Sequence, residues 1–320
     1  MTSGAVPSGA VPSGAVAARA PAKINVHLAV GPLRPDGFHE LRTVFLAVSL
    51  YDTVTAAPGE GLSLAVAGEG TGAATGGAVV PADSRNLVWQ AAELLARHAG
   101  VRADAALAVT KAIPAAAGLA GGSADAAAAL VALDVLWGTR ASRSDLSGLA
   151  AQLGSDVPFS LLGGIALGTG RGEQLSPVLA RTPWHWVLGI AGEGLSTPTV
   201  YAELDRLRAA GRVPDGTGLA PAEPVIAALR SGSPAALAAG LSNDLQAPAL
   251  ALRPALRRAL SAASDAGAAA VLVSGSGPTV AALAVDEAHA VRLTATLAGA
   301  GVFRTVRAVS GPVPGARLLG

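Results

Sequence analysis

Cysteine is absent from the chain, which removes disulfides, thiolate zinc sites and cysteine nucleophiles together. Aromatic residues make up only 3% of the sequence, so each one near a motif has to be located individually. Charge is scarce too: 14% of residues are charged, the formal net charge is +1, and no basic block occurs. Neither nucleic acid nor a membrane surface finds an electrostatic footprint in such a chain. The five histidines lie far apart and no H-E-x-x-H occurs, so a dedicated histidine metal site is not expected. An ion brought in with a nucleotide remains compatible. No apolar, glycine-free run reaches the roughly 18 residues of a membrane helix, and the first residues lack the basic and apolar regions of a signal peptide. A soluble cytoplasmic protein is expected.

Lysine is the rarest charged residue. Lys23 and Lys111 are the only lysines among 23 basic residues, and Asn25, Asn86 and Asn243 are the only asparagines. In a chain that otherwise uses arginine, a retained lysine points to a position that wants a compact ammonium rather than a planar fork.

What the sequence has in quantity is small and apolar. Hydrophobic residues are 51% of its 320, much of this alanine, which is enough for one large or two ordinary domains. Residues 1 to 18 carry SGAVP at Ser3 and Ser8 and SGAV at Ser13, and are expected to form a disordered low-complexity tail. Ile24, Val26, Leu28 and Val30 then alternate against Lys23, Asn25 and His27, which is strand periodicity and puts Lys23 and Asn25 on one face. Arg34-Pro35-Asp36-Gly37 is turn chemistry, predicting a second strand over about Leu41 to Leu50 and a third from Thr53. Gly59 to Gly77, poor in bulky residues, reads as a loop or short hairpin. Leu87 to Gly100 has helical spacing and a glycine stop, and Ala105 to Ile113 reads as a strand.

The stretch that follows, KAIPAAAGLAGGSADAAAALVALDVLW from Lys111 to Trp137, passes through a small-residue loop into an alanine-rich helix. Gly118, Gly121 and Gly122 let the backbone approach a ligand closely, Ser123 is expected to cap the helix, and the exposed N–H groups suit an anion. A glycine turn before a packed helix is the equal alternative. The loop is neither a Walker A sequence nor G-x-G-x-x-G. Further on, Ser142-x-x-Asp145 opens a helix ended by Gly154, and Asp156 reads either as a cap for a short helix or as a catalytic carboxylate. A second domain begins near the strand-like WHWVLGIA. It contains a helix from Thr197 to about Ala210, another capped by Asn243 or Asp244, and a strand over Ala268 to Val273. The turn Ser274 to Thr279 then leads into a hairpin partner over Val280 to Ala284. The mixture of sheets and helices in each half predicts the α+β class.

Five segments carry a family resemblance: PAKINVHLAVGPLRPDGFHEL from Pro21, PAAAGLAGGSADAA from Pro114, SGSGPT from Ser274, LGSDVPF from Leu153 and SNDL from Ser242. Together they resemble the GHMP kinases, named for galactose, homoserine, mevalonate and phosphomevalonate. The resemblance implies a two-domain α+β fold, with an ATP-binding domain over residues 19–175 and a smaller substrate domain over 176–311, and the active site between them. Within the family, the first segment is most similar to the branch acting on a diphosphocytidyl alcohol of the non-mevalonate isoprenoid route. The implied reaction is transfer of the ATP γ-phosphoryl group, with Mg2+ accompanying the nucleotide, to the tertiary hydroxyl of 4-diphosphocytidyl-2-C-methyl-D-erythritol. Asp156 would be the general base and Lys23 would orient it. The implied ATP site comprises Asn86, Lys111 and the loop residues Pro114, Ala115, Ala116, Ala117, Gly118, Leu119, Ala120, Gly121, Gly122, Ser123 and Ala124. Asn25 would hold the erythritol, Phe38 and Tyr201 would sandwich the cytosine, His39 would hydrogen-bond its edge, and Thr197 would lie near the diphosphate. Phe38 stands where that branch has tyrosine, and Ala120 and Ala124 where many relatives carry Gly and Ser. Asp125 is expected to be a helix-start carboxylate rather than a metal ligand. The implied partner is a small molecule, with no nucleic acid or membrane, and the chain is expected to be a monomer or homodimer. A kinase for another small alcohol and a non-catalytic nucleotide-binding regulator are the alternative readings.

Overall fold

The computed structural model describes residues 13–69, 80–180, 182–190 and 194–320. Two long antiparallel strands open it, β1 (Val16–Leu33) and β2 (His39–Ala57), joined by the expected turn, in which Gly37 has a φ of 81°. β2 is one strand where the pattern suggests two: Tyr51, Asp52 and Thr53 stay paired with Pro21, Ala20 and Arg19, and a bulge at Pro21/Ala22 absorbs the irregularity. β1 also starts inside the expected tail. Val16, Ala17 and Ala18 pair with Ala56, Thr55 and Val54, and Ala18 is fully buried, so the tail reading fails there; residues 1–12 lie outside the described residues.

β3 (Leu62–Gly68) occupies part of the stretch expected to be a loop or short hairpin; it is a strand, but it runs parallel to β4 (Ala105–Lys111) instead of forming a hairpin. Between them lies α1 (Leu87–Ala99), capped by the Asn86 side chain accepting from the Val88 N–H and closed by Gly100 in the left-handed region. α2 (Gly121–Trp137) follows the small-residue loop, and Ala126 to Ala129 and Ala132 are all fully buried. Alanine loses no rotamer entropy in a helix, and its small side chain lets α2 lie close against the β1–β2 sheet and α1. α3 (Arg143–Leu153) starts in the expected Ser142/Asp145 capping box, and α4 (Val157–Leu162), β5 (Ile165–Thr169) and β6 (Gln174–Pro177) complete the first unit.

The second unit is a four-stranded antiparallel sheet with helices against it. The elements after β6 are β7 (Trp184–Ile190), α5 (Thr197–Ala209), α6 (Glu223–Ser231), α7 (Pro234–Gly240), β8 (Ser242–Asn243), α8 (Gln246–Leu252), α9 (Ala255–Asp265), β9 (Ala270–Val273), β10 (Val280–Ala284), α10 (Glu287–Gly299), β11 (Thr305–Gly311) and β12 (Arg317–Leu318), of which the short β8 and β12 return to the first sheet. The sheet order is β11-β7-β10-β9, while the first sheet runs β12-β1-β2-β4-β3 with β5 on β2, β6 on β5 and β8 on β1. The fold is therefore α+β, as expected. The crossover between sheets falls after β6, a few residues beyond the expected boundary at 175/176. Asn243 and Asp244 do not cap a helix: α8 begins later, Asp244 accepts from the Val30 N–H, and Asn243 ties β1's neighbour to the Val273 and Gly275 carbonyls.

The final residues are tied into the fold by backbone bonds. Val313 and Ala316 donate to the carbonyls of Ala47 and Ser160, Gly164 donates to Val313, and Leu319 donates to Ala17. Deleting residues 312–320 should lower the unfolding free energy by roughly 2 to 6 kcal/mol, four backbone bonds at about 0.5–1.5 kcal/mol each. Denaturant titration checks this, and an unchanged midpoint would make the segment a passenger.

Candidate active site

A cavity of about 670 Å³ opens between the two units, lined by β1, β2, the loop before α2, the start of α4 and α5. At its floor the loop turns through three left-handed residues, Ala116 (φ 50°), Gly118 (φ 76°) and Ala120 (φ 58°). Gly118 is forced by its surroundings: a Cβ there would lie 2.1 Å from the Ser274 carbonyl oxygen and 3.0 Å from the Gly277 nitrogen. The two glycine turns thus interlock, with Ser274 Oγ donating to the Gly118 carbonyl at 3.1 Å and Thr279 N to the Ala117 carbonyl at 3.4 Å. Ser123 is not the helix cap. α2 begins at Gly121 with Ala120 as its cap residue, so Ser123 sits in the first turn, where its hydroxyl joins the unpaired N–H groups of Gly121 and Gly122 in the cavity lining. This is an anion cradle at the positive end of a helix.

Lys23 reaches the edge of that cradle from β1. Its ammonium donates to Asn25 Oδ1 at 2.7 Å and to the Gly118 carbonyl at 3.3 Å, and lies 5.6 Å from the centre of the Phe45 ring. Asn25 Nδ2 in turn donates to Thr43 Oγ1 (2.8 Å), which donates to the His27 carbonyl (2.8 Å). The chain of donors fixes which end of the Asn25 amide meets Lys23. Asp156 Oδ2 stands 3.8 Å from Lys23 Nζ, an ion pair rather than a hydrogen bond. Although Asp156 occupies the cap position of α4, its side chain makes no capping bond. That disposes of the helix-cap alternative and leaves a partly exposed carboxylate facing the cavity beside a nearly buried ammonium.

The outer end of the cavity is aromatic. Phe38, His39, Tyr201 and Thr197 all line it, bringing together the turn between β1 and β2 with the first two turns of α5. His39 and Tyr201 pack ring on ring with centroids 5.1 Å apart. Burial, with the Asp156 charge as a smaller cause, raises the Tyr201 phenol above its ordinary range, so it stays neutral. Thr197 Oγ1 lies 2.9 Å from Ser276 Oγ, joining α5 to the second glycine turn. Gly275 and Ser276 of the expected second glycine turn also line the cavity, and residues that sequence reasoning missed complete the lining: Thr43 and Phe45 under Lys23, Asp205 bonded to His39 at 2.9 Å, and Arg171, whose guanidinium carbon sits 4.8 Å from the Phe38 ring centre. Asp205 had a findable signal, being one helical turn beyond Tyr201 on the same face.

Comparison with known proteins bears on this arrangement directly. The profile of the GHMP kinases N terminal domain matches residues 86–164, and that of the GHMP kinases C terminal matches residues 225–302. The 4-diphosphocytidyl-2-C-methyl-D-erythritol kinase of Rhodococcus jostii is 60% identical over 301 residues, covering 94% of each chain. The chain belongs to the family of these kinases, within the GHMP kinases. The protein of the same name from Mycobacterium tuberculosis is 54% identical, covering 94% of this chain and 92% of its own. A crystal structure of 4-(cytidine 5'-diphospho)-2C-methyl-D-erythritol kinase superposes with a TM-score of 0.73 at 35% identity, covering 92% of this chain and 98% of that one. Homoserine kinase from Cytophaga hutchinsonii, at 17% identity and a TM-score of 0.74, covering 98% of this chain and all of its own, shares the fold.

Six residues expected at the ATP site of this kinase family are absent from the cavity lining. Asn86 spends its amide on its own turn, accepting from Val88 N and donating to the Pro81 carbonyl. Pro114, Leu119 and Ala124 are buried, the latter two in the main core, and Ala115 is half-buried beside them. Lys111 is the clearest correction. Its ammonium is buried between Asp52 (2.6 Å) and Asp125 (2.5 Å), while the other Asp52 oxygen accepts from the Ala112 and Ile113 N–H groups. A buried ammonium needs carboxylate partners, and two supplied by β2 and α2 hold it away from the cavity. The triad clamps the loop at both its entry and the helix beyond. Asp125 is likewise no helix-start carboxylate at the surface.

Two carboxylates share one ammonium, and one Asp125 oxygen is buried without a partner. Desolvation chiefly, with the Asp52 charge adding to it against the Lys111 attraction, pushes Asp125 up to about 8. The folded state thus holds a proton that the unfolded chain releases above about pH 4, so stability falls as pH rises from there through 8. Asp125→Asn removes that dependence. Thermal midpoints at pH 6 and pH 9 should fall further in wild type than in the variant, and parallel shifts would show that Asp125 is ionised throughout.

Proposed function

We propose that this protein transfers the γ-phosphoryl group of ATP to the tertiary hydroxyl of 4-diphosphocytidyl-2-C-methyl-D-erythritol. One observation carries the reading: a single cavity joins an anion cradle, the Lys23–Asp156 pair and an aromatic clamp, in that order. The cradle suits the ATP phosphates, through the N–H groups at the start of α2 and the Ser123 hydroxyl. Phosphoryl transfer asks mainly for in-line placement and for stabilisation of charge spreading over the transferred oxygens, and the helix end and Lys23 both supply positive potential there. A hydroxyl entering beside Asp156 would donate to its carboxylate. Since a carboxylate is a weak base, Asp156 takes the proton late, as the new O–P bond forms. Lys23 meanwhile stabilises the anionic aspartate and the developing alkoxide. The ammonium cannot drift, because Asn25 and the Gly118 carbonyl hold it.

Magnesium fits this site as a companion of the nucleotide. Among the described residues no three acidic or histidine side chains converge, so there is no protein cage, in keeping with an ion bound largely by phosphates and water. Asp156 and Ser123 are the lining groups that would meet it; the ion would neutralise charge on the phosphates. At the far end, Phe38 and Tyr201 offer faces for the cytosine, His39 its edge contact, and Thr197 a hydroxyl for the diphosphate.

Coupled measurement of ADP release with the cytidyl substrate tests the roles. Asp156→Asn should lower turnover by about 10²-fold or more with ATP binding retained, since removing a positioned base typically costs about 10² to 10⁴. Lys23→Arg should be comparably impaired because a planar fork does not fit between Asn25 and Gly118. Turnover near that of wild type in either variant would remove the mechanism. Phe38→Ala and Tyr201→Ala should each weaken substrate binding by about 1 to 3 kcal/mol while leaving ATP affinity unchanged. Calorimetric titration reads this, and intact substrate affinity in both would leave a kinase for a different alcohol.

A further inference from the structure

His39 is buried to within 7% of its surface, yet it lines the cavity. Two contacts from α5 fix its ring: Tyr201 packs on its face with an interplanar angle of 32°, and Asp205 Oδ1 lies 2.9 Å from Nε2. Tyr201 and Asp205 are four residues apart, so one helical face delivers both. A carboxylate can only accept, so the proton of that hydrogen bond belongs to His39 Nε2. In a neutral ring Nδ1 is then a bare lone pair, and it has no hydrogen-bond partner among the described residues. Which nitrogen carries the proton is set by the bond the other makes.

We propose that Asp205 is a positioning residue that selects cytosine over uracil by locking His39 in the Nε2–H tautomer. The inference rests on the function proposed above and deepens it. A bare Nδ1 can accept from the exocyclic amino group of cytosine, which is a donor. At the same ring position uracil presents a carbonyl oxygen, and two lone pairs would then face each other. Discrimination comes less from the attraction than from the mismatch, because a polar atom held unpaired in a buried site is costly. Without the carboxylate the imidazole is free to move its proton to Nδ1 and accept uracil equally well. Asp205 itself need touch no substrate atom; it acts through His39. A bond that only ties α5 to β2 would not affect the choice of base.

Two measurements on Asp205→Asn, which keeps size and position but can donate as well as accept, decide the matter. The first is the 15N spectrum of the histidine ring nitrogens in the protein without substrate, the His39 signals being assigned by their loss in His39→Gln. Wild type should show a protonated Nε2 and a bare Nδ1, and Asp205→Asn should show a mixture of tautomers. A proton on Nδ1 in the wild type overturns the proposal. The second is the ratio of kcat/KM for the cytidine and uridine forms of the diphosphate substrate. Wild type should favour cytidine strongly, and the ratio should drop by roughly tenfold in Asp205→Asn, about one hydrogen bond's worth of discrimination. An unchanged ratio overturns the proposal even if both activities fall. A wild type that phosphorylates neither form would instead remove the proposed function, and the tautomer measurement would still decide whether Asp205 controls the ring.

Discussion

The site depends on one close backbone approach, that of Gly118 to the Ser274–Gly277 turn. A side chain at Gly118 would meet the Ser274 carbonyl at 2.1 Å, and one at Gly275 would meet Asn25 Oδ1 at 3.1 Å and Lys23 Nζ at 3.2 Å. The first turn belongs to the α2 unit and the second to the four-stranded sheet. Bringing them into contact sets the cradle, Lys23 and the α5 wall in one geometry, because the Gly118 carbonyl accepts from both Ser274 Oγ and Lys23 Nζ. Only residues without a Cβ permit that density of backbone and side-chain polar atoms.

The loop shows that small residues do not all serve alike. Gly118 is required by space as well as by its positive φ, whereas Ala116 and Ala120 hold left-handed conformations that cost an L-residue on the order of 1–2 kcal/mol. That strain is sustained by what surrounds the loop: the Lys111–Asp52–Asp125 triad anchors both its ends, and Leu119 is fully buried in the main core. Strained backbone held by rigid neighbours is typical of pre-organised ligand sites. The cradle therefore need not be ordered by the nucleotide.

Much of this was readable from the residues, but unevenly. Alternation along β1 put Lys23 and Asn25 on one face, and the glycine pattern located both turns. The capping box at Ser142 followed from local chemistry alone, whereas Asn86, expected at the ATP site, turned out to be the cap of α1. Lys111 was misassigned because lysine scarcity marks a position needing an ammonium without saying whether its partner is a phosphate or a buried carboxylate. The deciding partner, Asp52, lies on another strand, and pairing across the sheet is invisible to local periodicity. The same non-local information separates Asp156 as a site carboxylate from Asp156 as a cap. The loop-or-hairpin reading of Gly59 to Gly77 left β3 open: Leu62, Leu64 and Val66 alternate and pack on the core, but their partner β4 runs parallel to them and lies beyond α1, which local periodicity does not show. Asp205 was within reach of helical spacing from Tyr201, whereas Arg171 became visible only once the β5–β6 turn stood beside the β1–β2 turn.

The account makes the cradle, the Lys23–Asp156 pair and the aromatic clamp parts of one phosphoryl-transfer site. 31P NMR of the wild-type protein incubated with ATP and 4-diphosphocytidyl-2-C-methyl-D-erythritol addresses that claim most directly. A new phosphomonoester resonance growing in step with ADP, with the diphosphate signals of the substrate retained, is the predicted result. Release of inorganic phosphate alone, or no product at all from a protein that binds both ligands, would contradict it.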